Sequence, residues 1–323
     1  MGRKKYPYDW FRKRLGFLTE NDVFKKVNDL GYAPVLTSRP GAWTILKEML
    51  LAYYAPSYLT ILRKQSWIKR LVFLDLFSGS GIIGIEGLKR NYLGSPLVIT
   101  KCIGDKYFDE YHFIESEKAK IDQLEKVFNV VGKPVGTEFH QGDCNKIIPN
   151  ILRKLSDFGT HSLVFIDPFS MEIDFDTIRL LGQIGCDLIV NVATEEILRP
   201  IKQWRANPSW NEPTLDRFFG SSEWKQKLAN VEKDEDIYNY YADLITNQAY
   251  KKKPIGTKIQ KTINGHHYFI LFTSTGGKWE EPRFFRILKT FNEKINNLSG
   301  DEVFTLIQHY IEGSGKSVMD YFE

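Results

Sequence analysis

An acidic residue ahead of a glycine-rich turn carries the first chemical signal. Asp75-Leu-Phe77-Ser-Gly79-Ser80-Gly81-Ile-Ile-Gly84 follows directly on a nearly unbroken apolar run that starts at Leu71. Glycines at a strand-to-helix turn let the backbone bend sharply and approach a ligand closely. A G-x-G-x-x-G pattern there commonly cradles a dinucleotide, and the turn is not a P-loop, because no Lys-Ser/Thr pair follows the last glycine. Asp75, four residues before Gly79, changes the expected ligand. A carboxylate at the end of the strand repels a pyrophosphate and attracts an amine or another cation.

Two more acids occupy corresponding places. Glu115, followed by Ser116, ends the run EYHFIES and is placed to accept hydrogen bonds from ribose hydroxyls. It comes later than the usual ~20 residues after the glycines, so GSPLVITKCIGDKYFDE reads as an insertion or an extra strand. Gly142-Asp143-Cys144 follows the next strand. Asp143 can accept from an adenine amino group with Cys144 beside the ring, or it can simply cap the following helix. Open α/β sheets bind ligands at the C-terminal ends of their strands. A ligand with an amine, a ribose, an adenine and no phosphate is S-adenosyl-L-methionine, and this is the expected cofactor.

A fourth element, Asp167-Pro168-Phe169-Ser170, follows the apolar run LVFI. Asp-Pro-aromatic resembles the D/N-P-P-Y/F loop of amino-methyltransferases, with Phe169 where the second proline would stand. An exocyclic base amine is a poor nucleophile because its lone pair is delocalised into the ring. A carboxylate and a fixed carbonyl can accept its two N–H bonds, and an aromatic ring can stack on an extruded base. The competing reading is a turn with Phe169 in the core. Basic residues gather from Arg63 to Arg70 around Trp67, and at Lys251, Lys252, Lys253, Lys258 and Lys261. They suit a phosphate backbone or, more plainly, a solvated face. His266-His267 reads as structural or exposed, no metal-ligand set is evident, and no Ser/His/Asp arrangement is legible.

The elements that must position these groups alternate. Ala42 to about Leu62 reads as a helix broken or kinked near Pro56, and 71–77 as a strand buried on both faces. IIGIEGLKR is helix-like. Thereafter EYHFIES, GTEFHQGD, HSLVFIDPF and CDLIVNV read as strands separated by helices, which predicts a doubly wound parallel sheet with right-handed crossovers. From 257 to 274, TKIQKTI-Asn264-Gly265-HHYFILFTS reads as an antiparallel hairpin with a type I′ turn. Ser299 and Glu302 form a capping box for a last helix. The expected layout is an N-terminal helical segment at 1–70 and a Rossmann-like core at 71–194. An inserted helical, aromatic subdomain at 195–255, a sheet-completing hairpin at 256–276 and C-terminal helices at 277–323 follow. The first segment and the insertion are expected to cover the ligand face.

Composition sets the outer bounds. The 323 residues are 42% hydrophobic, 26% charged and 14% aromatic, with a net charge of +4, ordinary for a globular chain and far from a strongly basic nucleic-acid binder. Cys102, Cys144 and Cys186 form no C-x-x-C, so neither a disulfide framework nor a zinc cluster is expected, and free thiols suggest a cytoplasmic setting. The basic start MGRKKYPYDWFRKRLGF lacks an apolar h-region, and Tyr6 stands where a myristoylation signal needs Ser or Thr. No run of ~18 apolar residues suggests a membrane span.

Taken together, FLDLFSGSG, GSPL at 94–97, FIES at 113–116, GDCN at 142–145, VFIDPF at 164–169 and LDRFFGSSEW at 215–224 resemble the three-Cys-motif partner (TcmP) family over roughly residues 42–275. The resemblance implies a Rossmann-like class I methyltransferase fold and a chain encoded beside a three-cysteine-motif partner protein. It also points to Lys47, in a helix whose lysine recurs in the family's pattern. A more distant likeness to ribosomal RNA adenine methyltransferases implies RNA or DNA as substrate. The expected reaction is methyl transfer to a nucleic-acid base nitrogen. The cofactor would be held by Asp75, Phe77, Gly79, Ser80, Gly81, Glu115, Ser116, Asp143 and Cys144, with Asp167, Pro168, Phe169 and Lys47 on the acceptor side. The competing readings are a non-catalytic cofactor-binding partner subunit of a defence or RNA-processing complex, and an enzyme acting on a small molecule or protein. Asp75 disfavours a nucleotide-dependent oxidoreductase.

Overall fold

The computed structural model describes residues 8–31, 41–250, 254–261, 266–272, 283–295 and 298–312. Among the described residues nine strands are formed: β1 Arg70–Asp75, β2 Ile82–Gly84, β3 Asn91–Leu93, β4 Glu110–Glu115, β5 Thr137–Gln141, β6 Thr160–Ile166, β7 Asp187–Val192, β8 Ile255–Gln260 and β9 His266–Phe272. Seven make one sheet in the order β5-β4-β1-β6-β7-β9-β8. β1 pairs in parallel with β4 and β6, β4 with β5, and β6 with β7, whereas β9 runs antiparallel to both β7 and β8. The chain therefore starts in the middle of the sheet, moves out to β5, then returns past β1 to β6. The crevice between β1 and β6, where the winding reverses, is where such a sheet accepts a ligand. Asp75 is in register with Phe113 of β4 and Phe165 of β6, two residues before Glu115 and Asp167.

Burial explains the sequence pattern. Every residue of β7, and all of β1 after Arg70, is buried, which is why these strands read as continuous apolar runs rather than alternating ones. Alternate residues still face opposite layers. Leu71, Phe73, Tyr111, Phe113 and Phe165 pack with helices Tyr8–Thr19, Thr44–Leu62, Lys118–Val131 and Gly300–Tyr310. Val72, Leu74, Ile114, Val164 and Val190 pack with helices Cys144–Leu155, Phe175–Gln183 and Asp234–Ile245. The aromatic stretch after 195 enters this second layer. Phe218 stacks on Tyr241 with centroids 4.5 Å apart, and buried Trp224 donates its indole N–H to Asp216 at 2.7 Å. Phe218, Phe219 and Trp224 are thus core residues on one face of the sheet.

Three expectations are corrected. IIGIEGLKR is not helical: β2 and β3 form an antiparallel hairpin, Ile82 opposite Leu93, with Gly87 at a φ of +81° beyond β2. Two glycines and β-branched neighbours weaken a helix here, and the Asn28 side chain clamps both backbone groups of Asn91, at 2.9 and 3.0 Å. The crossover helix is Ser95–Lys101, so GSPLVITK is helix N-terminus, not an extra strand. Finally, helix Thr44–Leu62 runs unbroken through Pro56. Proline inside a helix costs ~3 kcal/mol or more, and here 12 of the 19 residues are buried, which offsets it.

The β8–β9 hairpin is formed, while its Asn264-Gly265 turn and Lys251–Lys253 lie outside the described residues. The capping box is present: Ser299 Oγ accepts from Glu302 N at 3.3 Å, and the Glu302 carboxylate accepts from Ser299 N at 2.7 Å.

Candidate cofactor and acceptor site

The turn after β1 is stitched to its neighbours by the acids themselves. Asp75 is fully buried. Its Oδ2 accepts from Ser95 Oγ at 2.6 Å and its Oδ1 from Phe77 N at 3.2 Å. Burial pushes its carboxyl up to about 7, against the two hydrogen bonds and with added repulsion from Asp167 and Glu115. Asp75 thus ties the glycine turn to the GSPL segment, a bond closed again by Gly94 N donating to Gly81 O at 2.9 Å. Gly81 is required where it stands: φ is +75°, and a Cβ would come within 2.5 Å of Leu124 Cδ1. Gly79, at φ +60°, is different, since a Cβ there would meet nothing within 4 Å. The turn is closed on its sheet side and open above Gly79. Ser80 is buried, its hydroxyl donating to Ile82 O at 3.2 Å.

Glu115 continues the pattern. Its Oε2 accepts from Gly79 N at 3.0 Å, and its Oε1 from Glu117 N at 2.9 Å and Ser116 Oγ at 3.3 Å. A carboxylate has about four acceptor positions, so Glu115 retains capacity for a ligand hydroxyl. Asp143 caps helix Cys144–Leu155 by accepting from Asn145 N at 3.0 Å, yet remains exposed. Cys144 is buried and its thiol is pushed up to about 12, so it offers packing rather than a thiolate.

On the other side of the crevice, Asp167 meets groups from two other elements. Lys47 Nζ lies 2.6 Å from Asp167 Oδ2, and Asn191 Nδ2 donates to Asp167 Oδ1 at 2.7 Å. Asn191, on β7, is 3.3 Å from His267 Nδ1 of β9. His267 stacks on Trp43, over which Lys261 sits at 5.3 Å. Glu48, the neighbour of Lys47, is buried, and desolvation raises its carboxyl well above the ordinary range despite Lys47. Pro168 is buried and Phe169 is 62% exposed, so Phe169 is not a core residue. The rest of this loop hangs on Asn145, which donates to Glu172 O at 2.8 Å and accepts from Asp174 N and Thr177 Oγ1 at 3.0 and 2.8 Å.

The structure thus gathers Asp75, Gly79, Gly81, Glu115 and Asp143 at the ends of β1, β4 and β5, and Asp167 with Lys47 at the end of β6. Sequence reasoning missed Ser95, Asn145, Asn191 and His267. Asn191 left a signal, a lone polar residue inside the apolar run LIVNV. Of the basic residues, Lys251–Lys253 lie outside the described ones, and Arg63–Lys69 is mostly exposed, as a solvated face would be. Arg63–Arg70 leads into the N-terminal end of β1, the opposite end of the strand from Asp75. Arg63 pairs with Asp109 and Arg70 with Glu110, each at 2.9 Å. Lys261 is at the site end but is held by Glu196 at 2.9 Å and Glu195 at 3.4 Å.

A seven-stranded sheet of this order, parallel except for the antiparallel β9, with helices on both faces and acids at the strand ends, is a Rossmann-like architecture. No family model and no curated protein matches the sequence. Among solved structures, the chain is similar to the O-methyltransferase TomG from Streptomyces achromogenes, involved in tomaymycin synthesis and solved with S-adenosylmethionine. The identity is 14% and the TM-score 0.40, over 85% of this chain and 100% of that one. It is also similar to Trm1 from Pyrococcus horikoshii, in complex with S-adenosyl-L-methionine, at 9% identity and a TM-score of 0.40 over 81% and 76% of the two chains. A third is TYW2 from M. jannaschii with the same cofactor, at 12% identity and a TM-score of 0.35 over 74% and 77%. No described helix is long and apolar enough to cross a membrane.

Proposed function

We propose that this chain is an S-adenosylmethionine-dependent methyltransferase whose acceptor is a base nitrogen of RNA or DNA. The observation that carries the cofactor reading is the set of carboxylates at the ends of three adjacent strands, Asp75, Glu115 and Asp143, around a turn that is open above Gly79. Glu115 would bind the ribose and exposed Asp143 the adenine amine. Buried Asp75 would fix the glycine turn and supply negative charge beneath the amine. The cofactor supplies an electrophilic methyl group when bound. The chain's own contribution is position: the two strand groups on either side of β1 set the acceptor in line with that methyl, a geometry worth several kcal/mol. Exposed Phe169 is the surface on which an extruded base would stack. The resemblance to the TcmP family adds a three-cysteine-motif protein as the proposed partner.

Calorimetric titration tests the cofactor. S-adenosylhomocysteine should bind at micromolar affinity, about −8 kcal/mol. Glu115→Ala should lose ~1.5–3 kcal/mol of it, since a charged acceptor disappears and the Gly79 amide loses its anchor. Absence of binding, or tighter binding of NAD, would overturn the reading.

One observation favours a second acceptor class, a small molecule or protein. Both oxygens of Asp167 already hold protein donors, Lys47 and Asn191, which leaves less for a base amine. Phe169→Ala decides between the classes. A stacked base should cost ~1–3 kcal/mol of oligonucleotide affinity when the ring is removed, whereas Lys64→Gln, at the far end of β1, should change nothing. Equal oligonucleotide binding by wild type and Phe169→Ala would move the acceptor to the small-molecule or protein class.

A further inference from the structure

Away from the strand-end crevice, the edge of the sheet gathers two imidazoles and a carboxylate. In the parallel register of β4 and β5, His112 lies opposite Glu138 and Ile114 opposite His140. Side chains two residues apart share a face, so His112, Glu138 and His140 meet on one side of the sheet although 26 residues separate the first two. His112 Nδ1 is 3.0 Å from His140 Nε2, and Glu138 Oε2 is 3.7 Å from each of these nitrogens. Ligand atoms on a tetrahedral zinc ion, each about 2.0–2.2 Å from the metal, stand roughly 3.4 Å apart. The triangle needs adjustments of only a few tenths of an ångström to surround one.

The surroundings match as well. A ligating histidine commonly turns its other ring nitrogen to a carboxylate. His112 Nε2 faces Glu110 Oε2 at 3.5 Å, and Glu110 Oε1 is fixed by Arg70 Nη1 at 2.9 Å. His112 Nε2 is fully buried and has no hydrogen-bond partner of ordinary length, which a firmer ring orientation would correct. The His112 side chain is 3% exposed and that of Glu138 53%, so the triangle is rooted in the core and opens to solvent. Lys154, on the helix above, opposes the cluster: its charge disfavours the protonated form of both rings and would equally repel a metal.

We propose that His112, Glu138 and His140 form a three-ligand site for a divalent transition ion, with zinc the ion that suits its nitrogen–nitrogen–oxygen set. The ion pins edge strand β5 to β4 just ahead of Gly142-Asp143. The N–H shared by the two neutral rings moves to the other nitrogen of the ring that donates it when the metal enters, so each imidazole gives a lone pair.

The test uses the full chain, stripped with a chelator and titrated with cobalt(II), then displaced by zinc. One equivalent should bind with the visible absorption of tetrahedral nitrogen/oxygen coordination, and zinc should abolish it. His140→Gln and Glu138→Gln should weaken binding by more than the roughly 10–100-fold that loss of an outer-shell partner costs, and Glu110→Gln by an amount within that range. Lys154→Gln should tighten binding. Glu138 is exposed, so its variant should keep the wild-type fold by circular dichroism, and zinc should raise the melting temperature of wild type but not of this variant. Weak, unsaturable cobalt binding without a tetrahedral spectrum, or equal affinity in wild type and both ligand variants, would overturn the site and leave a hydrogen-bonded histidine pair.

Discussion

Asp167→Ala is expected to reduce methyl transfer by about 100-fold while S-adenosylhomocysteine affinity stays within a few-fold. Loss of one contact that matters only in the transition state costs ~2.7 kcal/mol. Asp167 stands at the end of β6, across the β1 crevice from the acids assigned to the cofactor. Its partners are Lys47 at 2.6 Å and Asn191 at 2.7 Å, not the glycine turn. Its loss should therefore spare cofactor retention. Two routes to the loss can be separated. If Asp167 receives the acceptor directly, Lys47→Gln should be much milder than Asp167→Ala. If Asp167 acts by holding Lys47 beside the acceptor, the two variants should fall alike and the double variant should fall no further, the non-additivity of a single unit. The assay is tritium transfer from labelled S-adenosylmethionine to total cellular RNA and DNA, with and without cell extract to supply a partner. Equal transfer by wild type and Asp167→Ala would remove Asp167 from the chemistry. Tight cofactor binding with no transfer in any condition would favour the reading as a non-catalytic subunit.

What the sequence made legible follows burial. The strands of the parallel core lie between two helical layers, so LVFL and LIV, leading to Asp75 and Asn191, had to be apolar on both faces, and such runs are visible without coordinates. Strand-end acids are visible for the complementary reason, as abrupt charge after an apolar run. The β2–β3 hairpin was hidden because its Ile82 and Leu93 bury themselves only through tertiary packing, and the motif IIGIEG carries a helical spacing by chance. Pro56 misled in the same way: local cost was visible, while the burial that outweighs it was not.

Pairs far apart in sequence were the least legible part of the site. Lys47 and Asp167 are 120 residues apart and Asn191 and His267 are 76 apart. Each residue alone reads as a solvated charge or an odd polar residue, and only the sheet order makes them neighbours. The basic clusters show the converse limit. Charge is visible in sequence but its neutralisation is not, and Arg63, Arg70 and Lys261 each have an acidic partner supplied from elsewhere in the fold.

The pH dependence of stability should change in Asp75→Asn. Asp75 is fully buried, and burial raises its carboxyl from the ordinary 3.8 to about 7. The unfolded chain therefore loses this proton near pH 4 and the folded chain near pH 7. Between those values the folded state binds more protons, so stability falls as pH rises through the window, is unaffected below it and levels off above it. A shift of about three units corresponds to a cost of ~4 kcal/mol at pH 8, an upper bound. Asparagine has no such titration and can still accept from Phe77 N while its amide faces Ser95. Urea unfolding should give similar stabilities for wild type and Asp75→Asn at pH 4 and a gap of several kcal/mol in favour of the variant at pH 8. Buried Glu48 is raised in the same direction and contributes its own slope, so the difference between the two proteins isolates Asp75. The same linkage reaches the ligand. A cationic ligand above the turn favours the ionised carboxylate, so S-adenosylmethionine affinity should climb between pH 6 and pH 8 in wild type and stay flat in the variant. Parallel stability curves from pH 4 to pH 8 would mean that Ser95 and Phe77 keep Asp75 ionised in the fold. Its charge would then be a permanent feature of the site rather than one that a cationic ligand draws out.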